Sequence, residues 1–210
     1  MKSGYTMSRA RTYLFFLAVV GAVVVPTTAS AFQLLGVDIT NADRKTMRQA
    51  VRLSDGIKRS ENDQHWYDSY HSREMLPGSD RITLYYVLST NELARVRYRF
   101  PYRTDTVRYR EIMDMVSSKY GPPTENVVDT RTEGPKSFDN IQAALNSFGR
   151  VEYRWVKPGV TIRLVRPNLI PAHLFLYYDV DGKSDRAMAE RERQKKQQAT
   201  NRYQQHDDAF

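Results

Sequence analysis

The stretch RITLYYVLSTNELARVRYRF, residues 81–100, decides the fold. Ile82, Leu84, Tyr86 and Leu88 recur at every second position, a turn follows at Thr90-Asn91, and Ala94, Val96, Tyr98 and Phe100 then repeat the alternation. Period two is the mark of a half-buried strand, so the segment predicts an antiparallel hairpin, residues 81–89 against 93–100. Successive strand side chains point to opposite faces. The face turned away from the apolar one therefore carries Arg81, Thr83, Tyr85 and Val87 beside Arg95, Arg97 and Arg99.

Downstream, Pro101 breaks the strand, and Thr104 or Asp105 is placed to cap a helix. Ile112, Met115, Val116 and Tyr120 form its apolar face, and Gly121-Pro122-Pro123 ends it. Val127 and Val128 suggest a short strand. Phe138, Ile141, Ala144, Leu145 and Phe148 recur at helical spacing and predict a further helix over residues 137–148, closed by Gly149. Three strands follow as a meander, over residues 151–157, 160–166 and 173–180, punctuated by Pro158-Gly159 and by the loop from Pro167 to Pro171. Their polar-side positions are Arg154 and Val156, then Thr161, Arg163 and Val165, then His173, Phe175 and Tyr177.

Upstream, Thr40 and Asp43 read as a capping-box variant ahead of a helix with Met47, Ala50, Val51 and Leu53 on its buried side, stopped by Gly56. Residues 58–63 are polar, and an aromatic run, His65 to Tyr70, precedes the Pro77-Gly78 turn. At the N-terminus, Lys2, Arg9 and Arg11 precede an apolar run from Tyr13 to Val25, with Ala29-Ser30-Ala31 after it. That order is a secretory signal peptide over residues 1–31, cleaved after Ala31, its apolar run shorter than the ~20 residues of a membrane span. The expectation is a periplasmic or secreted protein with no transmembrane segment left after cleavage.

The full chain of 210 residues has a formal charge of +8, of which the signal segment holds three cations and no acid. About +5 remains, divided as about +3 on residues 32–182 and about +2 on residues 183–210. The last segment is dense in Lys, Arg, Glu and Gln without a sustained apolar stripe and reads as a frayed helix or disordered tail. The absence of cysteine excludes disulfides, thiolate metal sites, cysteine nucleophiles and a lipoprotein anchor.

The fold class implied is α+β: a mostly antiparallel sheet with helices on one face, built from two helix-plus-three-strand half-units, residues 40–100 and 104–180, with an internal repeat suggested by the Pro-Gly turn in each. In that element order the chain resembles small periplasmic domains of the β-lactamase-inhibitor-protein type and outer-membrane assembly lipoproteins. The resemblance covers residues 40–180, shares no diagnostic motif, and implies protein binding rather than catalysis; the missing lipoprotein cysteine departs from the second group.

No nucleophile elbow, P-loop or dinucleotide fingerprint is present. His65 and His71 near Asp63 and Asp68 have too long a reach for one ion if extended, and Asp179, Asp181, Ser184 and Asp185 around Gly182 depart from a calcium loop. No metal or cofactor is expected. The candidate site is the polar sheet face, with Arg81, Tyr85, Arg95, Arg97, Arg99, Arg154, Arg163 and Tyr177 as its binding residues and the acids spread elsewhere. Arg and Tyr are enriched at interfaces and at anionic ligands. Export argues against nucleic acid, which leaves a protein partner or an anionic envelope component and a non-catalytic role. Two alternatives are an inhibitor of an extracytoplasmic enzyme, acting through Tyr67 to Tyr70 and the loop from Pro167 to Pro171, and a hydrolase with paired carboxylates.

Overall fold

The computed structural model describes residues 32–72, 75–101, 106–130, 134–136, 150–167 and 173–207. The expected signal segment, residues 1–31, and the predicted helix 137–148 lie outside the described residues. A two-residue hairpin comes first, β1 (Gln33–Leu34) with β2 (Val37–Asp38), then helix α1 (Arg44–Leu53). Four strands follow: β3 (Ile57–Ser60), β4 (Tyr67–His71), β5 (Arg81–Tyr86) and β6 (Leu93–Pro101). Helix α2 (Thr106–Tyr120) leads to β7 (Glu125–Thr130), β8 (Gly134–Lys136), β9 (Arg150–Lys157), β10 (Val160–Arg166) and β11 (His173–Val180), and α3 (Lys183–Asp207) closes the chain.

Nine strands form one sheet in the order β3-β4-β5-β6-β11-β10-β9-β7-β8, every pair antiparallel. The last strand of each half meets at the centre, and from there the order runs backwards through the sequence, β6 to β3 on one side and β11 to β7 on the other, with β8 added outside β7. Registers correspond as well: Arg81↔Arg99, Thr83↔Arg97 and Tyr85↔Arg95 on one side match Thr161↔Asp179, Arg163↔Tyr177 and Val165↔Phe175 on the other. The α+β class is as expected, and α1 and α2 pack on one face of the sheet. The half-unit of three strands is not, because the polar segment after α1 pairs with β4 as a fourth strand. It is an edge strand with three of its four residues exposed, so it has no apolar alternation to read.

The apolar side of the sheet forms one core. Ile82, Leu84, Val96, Tyr98, Phe100, Leu176, Ile162 and Trp155 pack with Met47 and Val51 of α1 and with Tyr109, Ile112 and Val116 of α2. Trp155 Nε1 donates to Gly121 O at 2.8 Å and ties the end of α2 to β9. In α1, Asp43 is the N-cap, accepting from Thr46 N at 2.7 Å. Leu53, expected in the core, is 79% exposed, because the helix ends there. Gly56 then passes so close beneath the helix that a Cβ would lie 2.3 Å from Val51 Cγ1. Leu88 also leaves the expected pattern: β5 ends at Tyr86, where a register shift against β6 moves the chain into the 88–90 turn.

The C-terminal segment is helical over Lys183–Asp207 rather than disordered. Its first turns dock without an apolar stripe. Lys183 and Arg186 both bind Glu92, at 2.8 and 2.6 Å, and hold that carboxyl down at about 2. Glu190 accepts from Leu88 N at 2.8 Å and from the Ser89 hydroxyl. Ala187 packs on Val87 and Ala94. Residues 192–201 are exposed.

Candidate functional site: an arginine and aromatic sheet face

Strand parity is as read from the sequence. All eight nominated residues, Arg81, Tyr85, Arg95, Arg97, Arg99, Arg154, Arg163 and Tyr177, occupy one face, the one turned away from the α1–α2 core, on β5, β6, β11, β10 and β9. The face is a ladder of rings and cations. Trp66, just before β4, packs tilted against Tyr85 with centroids 4.7 Å apart. The Arg97 guanidinium lies 5.2 Å from the Tyr85 ring and 5.3 Å from Phe175. Tyr177 is flanked by Arg95 at 5.4 Å and Arg163 at 4.8 Å. From the docked α3, Arg191 covers Trp66 at 4.2 Å. Each desolvated contact of this kind contributes ~0.5–2 kcal/mol and fixes the cation's place.

The expectation that the acids lie elsewhere fails. Asp179 receives Arg95 Nε and, at 2.6 Å, Arg163 Nε. Glu152 receives Arg154 Nε at 2.6 Å and Arg150, with Arg163 3.7 Å away; Arg154 also reaches Glu125 at 3.3 Å. Asp80 takes Arg99 in a two-oxygen grip, Nε to Oδ1 at 2.8 Å. Both Asp179 and Glu152 share the strand parity of the arginines, so the sequence did contain this signal. Asp80 precedes its strand, and only the turn of the chain brings it to Arg99. Burial pushes the Glu152 carboxyl up, but the Arg154 hydrogen bond and the charges of Arg163 and Arg150 outweigh it, and the group is held low.

Two arginines are left over. Among the described residues Arg97 has only Thr83 Oγ1, at 3.4 Å, and its buried Nε finds no acceptor there. Arg81 sits directly opposite Arg99, its Nε likewise buried and without an acceptor, and no ion pair reaches it among the described residues. Burial, followed by the charges of Arg99, Arg59 and Arg97, lowers its pKa against the weaker opposing pull of Asp80.

A second arginine set, on α1, is structural and was not singled out from the sequence. Arg44 is buried over the Tyr86 ring at 4.4 Å and donates to Asn62 O and His65 O; Arg48 binds the fully buried Asp68 at 2.8 Å. These contacts hold residues 61–66 and so place Trp66 at the end of the ladder. The only signal was the four-residue spacing of Arg44, Arg48 and Arg52. An open groove beside this stripe contains cations that Asp63, Asp68 and Glu61 already neutralise.

Tyr67 to Tyr70, expected to act as an inhibitory loop, is instead strand β4, with Asp68, Ser69 and Tyr70 buried. The loop residues 168–171 lie outside the described residues. Among the described residues no cluster of metal-ligating side chains occurs, and no helix is long and apolar enough to cross a membrane. No protein-family model, curated protein or solved structure matches this chain significantly.

Proposed function

We propose that this protein is an exported, non-catalytic binding module that takes an anionic partner of the cell envelope onto the arginine and aromatic sheet face. The observation that carries the reading is Arg97: clamped between two rings, short of a carboxylate, and with a buried Nε that has no acceptor. A half-buried cation held in one place without a counter-charge is pre-organised for an anion. Arg95, Arg99 and Arg163 keep internal partners and serve to hold the face rigid. Every described carboxylate with a displaced pKa is displaced downward, Glu61, Asp80, Glu152 and Glu190 among them, opposite to the raised acid a glycosidase requires.

Retention on an immobilised polyanion such as polyglutamate tests the reading. Elution should shift to lower salt in Arg97→Gln, while the exposed-tail control Arg193→Gln elutes like wild type. Equal shifts in both variants would leave the face with no special role. Arg97→Gln is the cleaner probe because replacing Arg95 or Arg99 would also strip the partner of a buried or half-buried carboxylate. Chemical crosslinking in intact cells, compared between wild type and Arg97→Gln, then identifies the partner.

A further inference from the structure

Charge balance differs across the sheet face. On the β11-β10-β9 side, Asp179 and Glu152 answer Arg95, Arg163, Arg154 and Arg150. On the β5-β6 side, where β5 begins and β6 ends, Arg81 and Arg99 stand directly across from each other and Thr83↔Arg97 is the next pair on that face. Arg59 reaches the corner from the bulge in β3, and His173 from the start of β11. Asp80 is the one described carboxylate acting on this group, and Arg99 already occupies both its oxygens. Four guanidinium groups thus face one carboxylate, with two buried Nε donors unused, on Arg81 and Arg97.

We propose that this corner is a subsite for a phosphate group, bound by Arg81 and Arg97 with Arg59 at its rim. The inference rests on the anion-binding reading above and gives it a ligand class. Charge selects the class: three uncompensated cations are reduced to one by a dianion, whereas a carboxylate leaves two. Geometry agrees, since the donors come from three different strands, which suits a tetrahedral group with several acceptor oxygens. The planar two-oxygen acceptor the corner can use is already present as Asp80. Guanidinium forks match phosphate oxygens, and such charge-assisted bonds are the stronger kind. Burial and the neighbouring Arg99 hold the His173 imidazole below its ordinary value, which disfavours a further cation at this corner.

Calorimetric titration of the full mature chain with inorganic phosphate at low ionic strength is the test, with acetate as the comparison anion. Saturable phosphate binding, with acetate at least about tenfold weaker, is expected in wild type. Arg81→Gln should weaken phosphate by at least about tenfold, Arg81→Lys by less, and Arg193→Gln by under about twofold. Because Arg81 has no ion-pair partner to strand among the described residues, Arg81→Gln should unfold in urea at the wild-type midpoint or above it. Vesicles identify the source: binding to phosphatidate but not phosphatidylcholine, lost in Arg81→Gln, marks a lipid phosphate, and phosphate saturation without vesicle binding marks a soluble one. Absent saturation, acetate bound as tightly as phosphate, or equal weakening in Arg81→Gln and Arg193→Gln would overturn the subsite. If polyanion retention still depended on Arg97, the broader reading would survive that failure; if it did not, both would fall.

Discussion

Asp179→Asn separates the two roles of the sheet face. Asp179 lies almost buried between Arg95 and Arg163, accepting one Nε from each. Those guanidinium groups flank the Tyr177 ring at 5.4 and 4.8 Å from its centroid, so they are no more than about 10 Å apart. Without the carboxylate their mutual repulsion is ~1.7 kcal/mol at an effective dielectric constant of about 20. Loss of a charge-assisted hydrogen bond adds ~1.5–3 kcal/mol, and the asparagine carbonyl preserves one weaker acceptor. Destabilisation of ~3 kcal/mol follows, at the low end of what stranding a buried ion costs. In urea the midpoint should fall by ~1.5 M for a typical slope of ~2 kcal/mol/M. The same variant adds one positive charge to the face, so polyanion retention measured below the transition should rise while stability falls. A loss under ~0.5 kcal/mol would place the network with ordinary exposed pairs and refute the claim that it holds the face rigid. Adding Arg163→Met to Asp179→Asn removes the repulsion and should recover part of the loss, which a double-mutant cycle measures.

The acid response follows from Glu152 and Asp80. Both are held below their ordinary values in the fold, so the stability they contribute is present above ~4 and is lost as pH falls through their lowered folded values; urea midpoints measured from pH 6 to pH 2 should fall on the acid side, less steeply in Glu152→Gln. Glu190→Ala removes the acceptor for Leu88 N and Ser89 and should lower stability by ~1 kcal/mol in thermal unfolding; an unchanged midpoint would mean that the start of α3 is not anchored there. Truncation after Glu192 removes a stretch exposed through residue 201, and calorimetry should find the unfolding free energy within ~0.5 kcal/mol of the untruncated protein.

Much of the candidate site was legible because a strand's side chains alternate strictly. Ile82, Leu84 and Tyr86 fix one face of β5, and Arg81, Thr83 and Tyr85 can then only lie on the other. The same rule placed Asp179 and Glu152 beside the arginines. Their importance escaped a reading that searched the face for cations and not for counter-charges. Elements without an apolar rhythm were the hard ones: β3 is an exposed edge, and α3 docks through Glu92, Glu190 and Arg191 rather than through a buried stripe. Trp66 owes its place to the buried Arg44 and half-buried Arg48 of α1, and those side chains read in sequence as a solvated helix surface.

By itself the sequence determined the α+β class, the hairpin, the meander and the membership of the arginine face, since each is a local consequence of hydrophobic period and turn chemistry. Only the tertiary structure decided which of those arginines are neutralised. Arg95 meets Asp179 because β6 pairs with β11, Arg154 meets Glu125 because β9 pairs with β7, and Arg81 meets Arg99 because the hairpin register puts them opposite. Electrostatic balance at a surface depends on distances of a few ångströms between residues far apart in the chain, and strand order and register set those distances.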